Sequence, residues 1–350
     1  MQHPLLNMGL IGFSAEQRAQ VAQRLATNNA EATQTDTDSH KRASTASEST
    51  ARHPVWEISD FREANALLLH APYTEDGKLQ FDSPLNANSP VAVHLSELAL
   101  PFAVQWTAWP AENLQNTSTV RTVHIDRPDS LVKTLQYFEA LLRPLRTLFA
   151  LADQMIERRS ELDSKHVYHL MRNNMLDCIV DISRRHIMVR DGIRPIDVYD
   201  AAWLSRPLLA NSQPQGFTIW TMEEAAWIYA LHSPAVKLPA RYLQAPIYFR
   251  RLPRVRTSML YPRHTNLLET LGCAALTYDQ LCECPDIDKA NLERDLHGLY
   301  LCRAITTQSQ KVARESEYPG DNSGLFSRPT STLGGGSQTY KIDTVPGYLL

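Results

Sequence analysis

The chain has 350 residues with 35 basic and 38 acidic side chains, which gives a formal net charge of −3. That balance excludes a uniformly basic nucleic-acid-binding protein but leaves room for a local basic patch. No stretch approaches the roughly 20 apolar residues of a membrane-spanning helix, and the N-terminus lacks an export signal. Five cysteines, an odd number in so long a chain, argue against a disulfide framework, so we expect a cytoplasmic protein without membrane contact.

Two segments have the composition of disordered chain. Residues 27–52 contain alanine as their only aliphatic residue and are rich in serine and threonine, so they cannot bury enough apolar surface to offset the entropy of folding. Residues 315–350 include consecutive glycines at 334–336 and are typical of a flexible tail. We expect a disordered insert at 27–52 and a disordered tail at 315–350.

The first predicted domain, residues 1–145, alternates strand and helix signals. Ser14 and Gln17 form a capping box for a helix over Ala15–Ala26. A long helix starts at Asp129 or the next residue, and Pro144 kinks or divides it. Short apolar runs that alternate with helices predict an α/β fold with a flavodoxin-like, doubly wound parallel sheet. The predicted strands are Gly9–Phe13, Val55–Ile58, Ala66–His70, Val91–Leu95 and Thr119–Ile125.

The middle block, residues 146–245, is predicted to be an α+β module. Two apolar runs flank the turn Ser183–Arg185 and predict a β-hairpin. A short amphipathic helix is predicted over Pro195–Leu204 and a strand over Phe217–Trp220. Thr221 and Glu224 form a second capping box, for a helix that ends near 232.

Three groups of side chains have both a structural and a functional interpretation. The cysteines between 273 and 302 lack the paired spacing of zinc ligands, so burial in the core is the simpler interpretation. Asp163, His166 and His169 have helical spacing but no third strong ligand, so we predict no metal site. The aromatic residues of the middle block either fill its core or line a pocket for a ligand or partner. They are Tyr199, Trp203, Trp220, Trp227 and Tyr229.

The last predicted domain, residues 246–314, resembles a winged helix. Helices are predicted over Thr265–Leu271, Tyr278–Cys284 and Lys289–Leu301, followed by a strand over Cys302–Thr306. In winged helices the third helix enters the major groove of DNA. Here its outward positions mix charges of both signs, which suits phosphate neutralisation poorly and leaves protein docking as the other interpretation. Those positions are Lys289, Asn291, Glu293, Arg294, Asp295 and His297.

Residues 8–143 resemble a response-regulator receiver domain that has lost its chemistry. The Ser14-capped helix fits the family, and Ile125–Pro128 stands where receivers carry a Lys-Pro pair. The positions of the Mg²⁺-binding acids after the first strand hold Phe13 and Ser14, and the position of the phosphoacceptor Asp holds His70. Without that carboxylate cluster, the resemblance implies a pseudo-receiver that cannot be phosphorylated.

Arginines gather in a segment that contains no acidic residue from Tyr242 to Leu268. Arginine side chains bind phosphate oxygens bidentately, so the run predicts a nucleic-acid contact or an anion or nucleotide pocket. The structural alternative is a solvated face, or arginines paired with acids elsewhere in the chain. The predicted contacts are Arg250, Arg251, Arg254, Arg256, Arg263, Lys289 and Arg294.

No catalytic motif is recognisable, and we predict no catalytic residues and no cofactor. We expect a non-catalytic bacterial regulatory or adaptor protein in signal transduction or transcription regulation. Its receiver-like domain would dock a protein partner, its winged-helix-like domain would bind DNA or protein, and a homodimer is compatible with this arrangement. The alternative is a small-ligand or nucleotide-binding protein, or an enzyme, that uses Arg250–Arg263 as an anion site.

Overall fold

The structure is a computed structural model that describes residues 3–11, 13–39, 54–59, 64–69, 91–95, 122–123, 128–235 and 238–312. These residues form a mixed α/β fold with two five-stranded sheets and one two-stranded sheet. None of the described helices is long and apolar enough to cross a membrane. The predicted tail, 315–350, lies outside the described residues.

The first sheet has the strand order β2-β1-β3-β4-β5. Strands β1, β2 and β3 are parallel, as predicted, but β4 is antiparallel to both of its neighbours. The prediction of an all-parallel, doubly wound sheet is therefore wrong at β4. An apolar run specifies a strand but not its direction, which depends on the connection that precedes it. The strands are β1 (Leu5–Ile11), β2 (Val55–Ser59), β3 (Ala66–Leu69), β4 (Val91–Leu95) and β5 (Thr122–Val123).

Helix α1 (Ala15–Ser39) begins at the predicted capping box. The Gln17 N–H donates to Ser14 Oγ over 3.2 Å, and the Ser14 N–H donates to Gln17 Oε1 over 2.9 Å. Because the helix continues to Ser39, the predicted disorder is wrong over residues 27–39, and residues 40–52 lie outside the described residues. Alanine, glutamine and glutamate favour helix, and Asn29 binds the backbone of Trp56 on β2 through two hydrogen bonds.

Pro144 divides the next helical segment, as predicted, into α2 (Pro128–Leu141) and α3 (Arg143–Glu157). It lies in the first turn of α3, where the N–H that proline lacks has no partner within the helix. Leu141 is partly exposed, but four other apolar residues of this segment are buried and belong to the core. The buried residues are Leu131, Leu135, Phe138 and Leu142.

The second sheet is antiparallel, with the order β10-β8-β7-β6-β9. The predicted hairpin is confirmed, because β7 and β8 pair on either side of the turn Ser183–Arg185. Its strands are β6 (His166–Arg172), β7 (Met175–Asp181), β8 (His186–Arg190), β9 (Ala202–Pro207) and β10 (Phe217–Thr221).

Two predictions of helix in this region are wrong. The helix predicted over Pro195–Leu204 ends at Tyr199 as α4 (Pro195–Tyr199), because the residues from Ala202 onward pair with β6. His166 and His169, predicted on a helix with Asp163, lie on β6 itself. In both cases the sheet supplies backbone hydrogen-bond partners that local helical spacing does not reveal.

The C-terminal part begins with α5 (Met222–His232), which the predicted Thr221–Glu224 capping box starts. The predicted order of helix, helix, turn, helix and strand is confirmed, although the third helix begins at Leu292 rather than Lys289. Strands β11 and β12 pair antiparallel, and Ile247 forms an isolated bridge with Leu276. The remaining elements are α6 (Arg241–Gln244), β11 (Tyr248–Phe249), α7 (Pro262–Cys273), α8 (Tyr278–Glu283), α9 (Leu292–Leu301) and β12 (Ile305–Thr306).

One hydrophobic core joins the three predicted domain ranges 1–145, 146–245 and 246–314. Met8 on β1, Leu148 on α3, Trp227 on α5 and Leu296 on α9 all belong to it, and each is at most 1% exposed. Of the five aromatic residues of the middle block, Trp220, Trp227 and Tyr229 are buried, while Tyr199 and Trp203 are partly buried against the same core. Core packing is therefore the correct interpretation of this aromatic group.

Helix α5 spans the distance between the first sheet and the C-terminal part. At its C-terminal end, His232 Nδ1 lies 2.7 Å from the carbonyl oxygen of Leu5 on β1. Near its middle, Trp227 packs against α9 and donates from Nε1 to the Met259 carbonyl over 3.0 Å. The helix therefore contacts both ends of the described fold.

Candidate functional site

Two of the predicted anion contacts are used inside the fold. Arg256 Nε donates to Glu224 Oε1 over 3.0 Å, and its guanidinium lies 4.4 Å from the ring centre of Trp220. Arg263 Nε donates to Asp295 Oδ2 over 2.8 Å and links α7 to α9. For these two residues the structure supports the alternative in which arginines pair with acids elsewhere in the chain.

The predicted recognition helix, α9, faces the interior. Asp295 and His297, predicted to point outward, are buried. Gly298 lies so close to α5 that a Cβ added there would be 3.0 Å from a ring carbon of Trp227. Arg294 is partly buried, and its Nε atom has no hydrogen-bond partner among the described residues. The prediction that Asp295 and His297 point outward is therefore wrong, because the face of α9 that carries them packs inside the fold, towards α5.

Lys289 and Arg254 remain exposed. Lys289 lies in the turn before α9, and Arg254 accepts a hydrogen bond on its backbone carbonyl from Thr221 Oγ1 over 3.1 Å. Both stay predicted contacts.

Arg250 and Arg251 belong to a concentration of positive charge built from three segments of the chain. Arg185 comes from the β7–β8 turn, Arg250 and Arg251 follow β11, and Arg303 follows α9. We call these four residues the arginine cluster. The backbone brings two of its segments together, because the Arg250 and Arg251 N–H groups both donate to the Ala304 carbonyl, over 2.8 and 3.2 Å.

The carboxylate at the centre of the arginine cluster is Glu223, in the first turn of α5. Its Oε1 accepts hydrogen bonds from Arg185 Nε at 2.8 Å and from Arg251 Nη2 at 3.1 Å. Glu223 is 1% exposed, so both arginines reach inward to a buried charge. Arg303 interacts electrostatically with Glu223 and with Arg250, so the four arginines and this one carboxylate sum to a charge of +3.

Burial lowers the pKa of Arg303 from its usual value, and the neighbouring charges of Arg185, Arg250 and Arg251 lower it further. Glu223 acts in the opposite direction on the same pKa. The Arg251 Nε atom is buried and has no hydrogen-bond partner within the described part of the chain. These are the marks of positive charges that the described residues do not fully neutralise.

Sequence reasoning found Arg250 and Arg251 but missed Arg185 and Arg303. Both missed residues adopt a left-handed backbone, with φ of 59° and 56°. A single arginine in a hairpin turn, or after a helix, carries no local signal of a site. Only the tertiary structure places them beside the arginine run.

The other candidate ligands do not assemble into a metal site. Among the described residues, no group of three or more His, Cys, Asp or Glu side chains is placed to hold a metal ion. His166 contacts Asp163 at 2.9 Å, whereas His169 contacts the Ala210 carbonyl at 2.7 Å. Of the cysteines, Cys178 and Cys302 are buried, and Cys273 is exposed.

The end of β1, where a receiver would bind Mg²⁺, holds a positively charged side chain. Arg18 donates from Nη2 to the Leu10 carbonyl over 2.9 Å and from Nε to the Phe13 carbonyl over 3.3 Å. Phe13 is buried, and Ser14 is occupied as the helix cap. His70 and Ile125–Arg127 lie outside the described residues.

Comparison with models of protein families, with curated proteins and with solved structures finds no match to this chain. Its function therefore has to be argued from its own residues. Among the described residues, the arginine cluster combines excess positive charge with partly or fully exposed side chains, and it is therefore the candidate ligand site.

Proposed function

We propose that this chain is a non-catalytic regulatory protein, acting in the cytoplasm, that binds a phosphorylated anion at the arginine cluster. The observation that carries the proposal is the grouping of four arginines, of which Arg185 and Arg251 contact the carboxylate of Glu223 and Arg250 lies near Arg303. Like charges held together oppose folding, and an anion that binds only the folded state offsets that cost. Arginine suits this role because its planar fork matches phosphate oxygens.

The backbone at the arginine cluster supports a binding role. A left-handed conformation costs a non-glycine residue about 1–3 kcal/mol and occurs often at ligand clamps. Arg185 and Arg303 both adopt it. Within the described residues, the side chains of Arg250 and Arg303 form no hydrogen bond or ion pair, so their donors are available to a ligand.

The burial of α9 argues against DNA binding through this helix. A helix that reads the major groove needs an exposed face of several turns. In α9 the residues from 292 to 299 are buried or partly buried apart from Glu293, which is exposed. We therefore infer that the winged-helix-like segment, 246–314, serves as a docking surface for a protein partner. The order of its helices and of β12 supports the resemblance, and the buried third helix departs from it.

We also infer a flavodoxin-like, receiver-like character for residues 1–145. The order β2-β1-β3-β4-β5 supports it, because flavodoxin-like sheets have the order 2-1-3-4-5. The antiparallel β4 departs from that class. Arg18 supports the absence of phosphotransfer, because a guanidinium at the end of β1 occupies the place of the metal ion.

The proposal is tested by anion binding to the full chain. Thermal unfolding is followed in the presence of inorganic phosphate, inorganic pyrophosphate and sodium chloride at equal ionic strength. We expect the phosphate-containing anions to raise the unfolding temperature and sodium chloride to leave it nearly unchanged. Arg303→Asn should reduce the effect, and asparagine tolerates the left-handed backbone at that position.

Arg254→Gln is the matched control. Like Arg303→Asn it removes one positive charge, but from an exposed arginine of the run Arg250–Arg263 that lies outside the arginine cluster. An equal loss in both variants would assign binding to the basic run as a whole. The absence of any anion effect on the native protein would overturn the proposal. Phosphate released from pyrophosphate would contradict its non-catalytic part, and tight binding of mixed-sequence duplex DNA by the full chain would restore the DNA interpretation.

A further inference from the structure

We propose that the arginine cluster selects a diphosphate group, such as that of a nucleoside diphosphate, over a single phosphate group. This inference rests on the proposed function, because it assigns a ligand class to the same four arginines. Three features favour the longer anion: the charge of the cluster, the distribution of its free donors, and the two sheets that its arginines adjoin.

The charge of the arginine cluster exceeds that of one phosphate group. After Glu223 is counted, the cluster has a net charge of +3. A phosphate monoester has about 1.5 to 2 negative charges near neutral pH. One phosphate group therefore leaves part of the positive charge unneutralised, whereas two linked groups carry about three negative charges and match it.

The donors of the arginine cluster fall into two pairs. Arg185 and Arg251 each use one nitrogen on Glu223 Oε1, which fixes these two guanidinium groups beside each other. Arg250 and Arg303 use none of their side-chain nitrogens within the described residues. Because an arginine has five N–H donors, one fixed pair and one free pair offer more donors than the oxygens of a single phosphate group can accept.

The arginines of the cluster come from segments that adjoin two different sheets. Arg185 lies in a hairpin turn whose strands are central in the second sheet. Arg250 and Arg303 flank the two-stranded sheet of β11 and β12, and the Arg250 N–H bonds to the Ala304 carbonyl. A diphosphate that contacts both pairs of arginines bridges the second sheet and the two-stranded sheet. One phosphate group has fewer oxygens with which to contact arginines from both sheets.

Isothermal titration calorimetry on the full chain tests this inference. Inorganic pyrophosphate and orthophosphate are titrated separately at equal ionic strength, with a chelator present so that no divalent cation complexes the diphosphate. We expect pyrophosphate to bind at least about tenfold more tightly. Arg303→Asn and Arg250→Gln should reduce that preference to about twofold, while Arg159→Gln, at an exposed arginine after α3, retains it. Denaturant unfolding of each variant shows whether the fold is preserved.

The outcomes separate the ligand class from the proposed function. Equal affinities for the two anions, both weakened by Arg303→Asn, would overturn the diphosphate inference and leave anion binding in place. Failure of both anions to bind the native chain would overturn the proposed function itself. An equal loss of preference in Arg159→Gln and Arg303→Asn would show that the preference does not come from the arginine cluster and would overturn the inference.

Discussion

Arg185 and Glu223 meet where the β7–β8 hairpin approaches the start of α5, with Arg185 Nε donating to Glu223 Oε1 over 2.8 Å. Arg251 donates to the same oxygen from the opposite segment. A third contact joins these elements, since the Cys302 thiol donates to the Glu223 backbone carbonyl at 3.4 Å. One glutamate thus links the second sheet, α5 and the end of α9.

Replacing Glu223 with glutamine should separate folding from ligand binding. Among the described residues, the change removes the carboxylate that Arg185 and Arg251 both contact. We expect the unfolding free energy to fall by about 1–2 kcal/mol, a modest loss because both arginines are partly exposed. Anion affinity should rise severalfold, because the net charge of the cluster increases. Denaturant unfolding and calorimetry measure the two effects. Glu283→Gln, on the exposed face of α8, should change neither; a weaker anion affinity in Glu223→Gln would contradict the assigned role.

The contact between Gly298 and Trp227 predicts opposite effects for two glycine substitutions. In Gly298→Ala the new Cβ would lie 3.0 and 3.1 Å from two ring carbons of the fully buried Trp227. We expect a loss of about 1–3 kcal/mol in unfolding free energy. In Gly272→Ala on α7 the new Cβ meets nothing within 4 Å, so helix propensity should stabilise the protein by up to about 1 kcal/mol. Equal urea midpoints for the two variants would refute the close packing of α5 on α9.

The buried His232 predicts a loss of stability in mild acid. Burial lowers the pKa of His232 to about 4, below its usual 6.5. The unfolded chain therefore binds a proton between pH 6.5 and 4 that the folded chain does not, so unfolding free energy falls as the pH decreases across this window. The contribution of His232 reaches roughly 3 kcal/mol. Burial also lowers the pKa values of His264 and His297 and acts in the same direction.

His232→Gln isolates the contribution of His232 to this pH dependence. Glutamine retains a donor for the Leu5 carbonyl but does not titrate. Urea unfolding of both proteins at pH 7 and pH 5 should show a smaller decrease for the variant. An identical decrease would show that His232 is protonated equally well in the folded state.

Arg18 should stabilise the end of β1 through its two bonds to backbone carbonyls. Arg18→Met removes both donors but keeps much of the apolar stem, and we expect a loss of about 1–2 kcal/mol. Arg159→Met, at an exposed arginine after α3, serves as the control and should have little effect. Equal unfolding free energies for the two variants would mean that Arg18 is only a surface residue.

The elements predicted correctly from sequence are those that depend on nearby residues. The capping boxes at Ser14 and Thr221 each require a partner three residues away, and both form as expected. Pro144 acts through its own ring, and the hairpin forms around a four-residue turn between Asp181 and His186. Such signals survive tertiary folding because the partners are adjacent in the chain.

The features that could not be predicted from the sequence depend on residues that are distant in the chain. The direction of β4 is fixed by its pairing with β3, and β9 forms because β6 lies beside it. The candidate site shows the same division: Arg250 and Arg251 are adjacent and were found, whereas Arg185 and Arg303 join them only through the fold. The inward orientation of α9 follows from packing on α5, which its own amphipathic pattern does not specify.

Helix α5 has a mechanical consequence for this protein. Its 11 residues form a rod about 16 Å long. At one end of the helix Glu223 binds Arg185, and at the other end His232 contacts the Leu5 carbonyl on β1, the second strand of the first sheet. Because α5 also packs on α3 and α9, a displacement at its charged end would move the first sheet and both of these helices together. A protein partner bound to the first sheet would therefore act on the same helix that carries Glu223 at its other end.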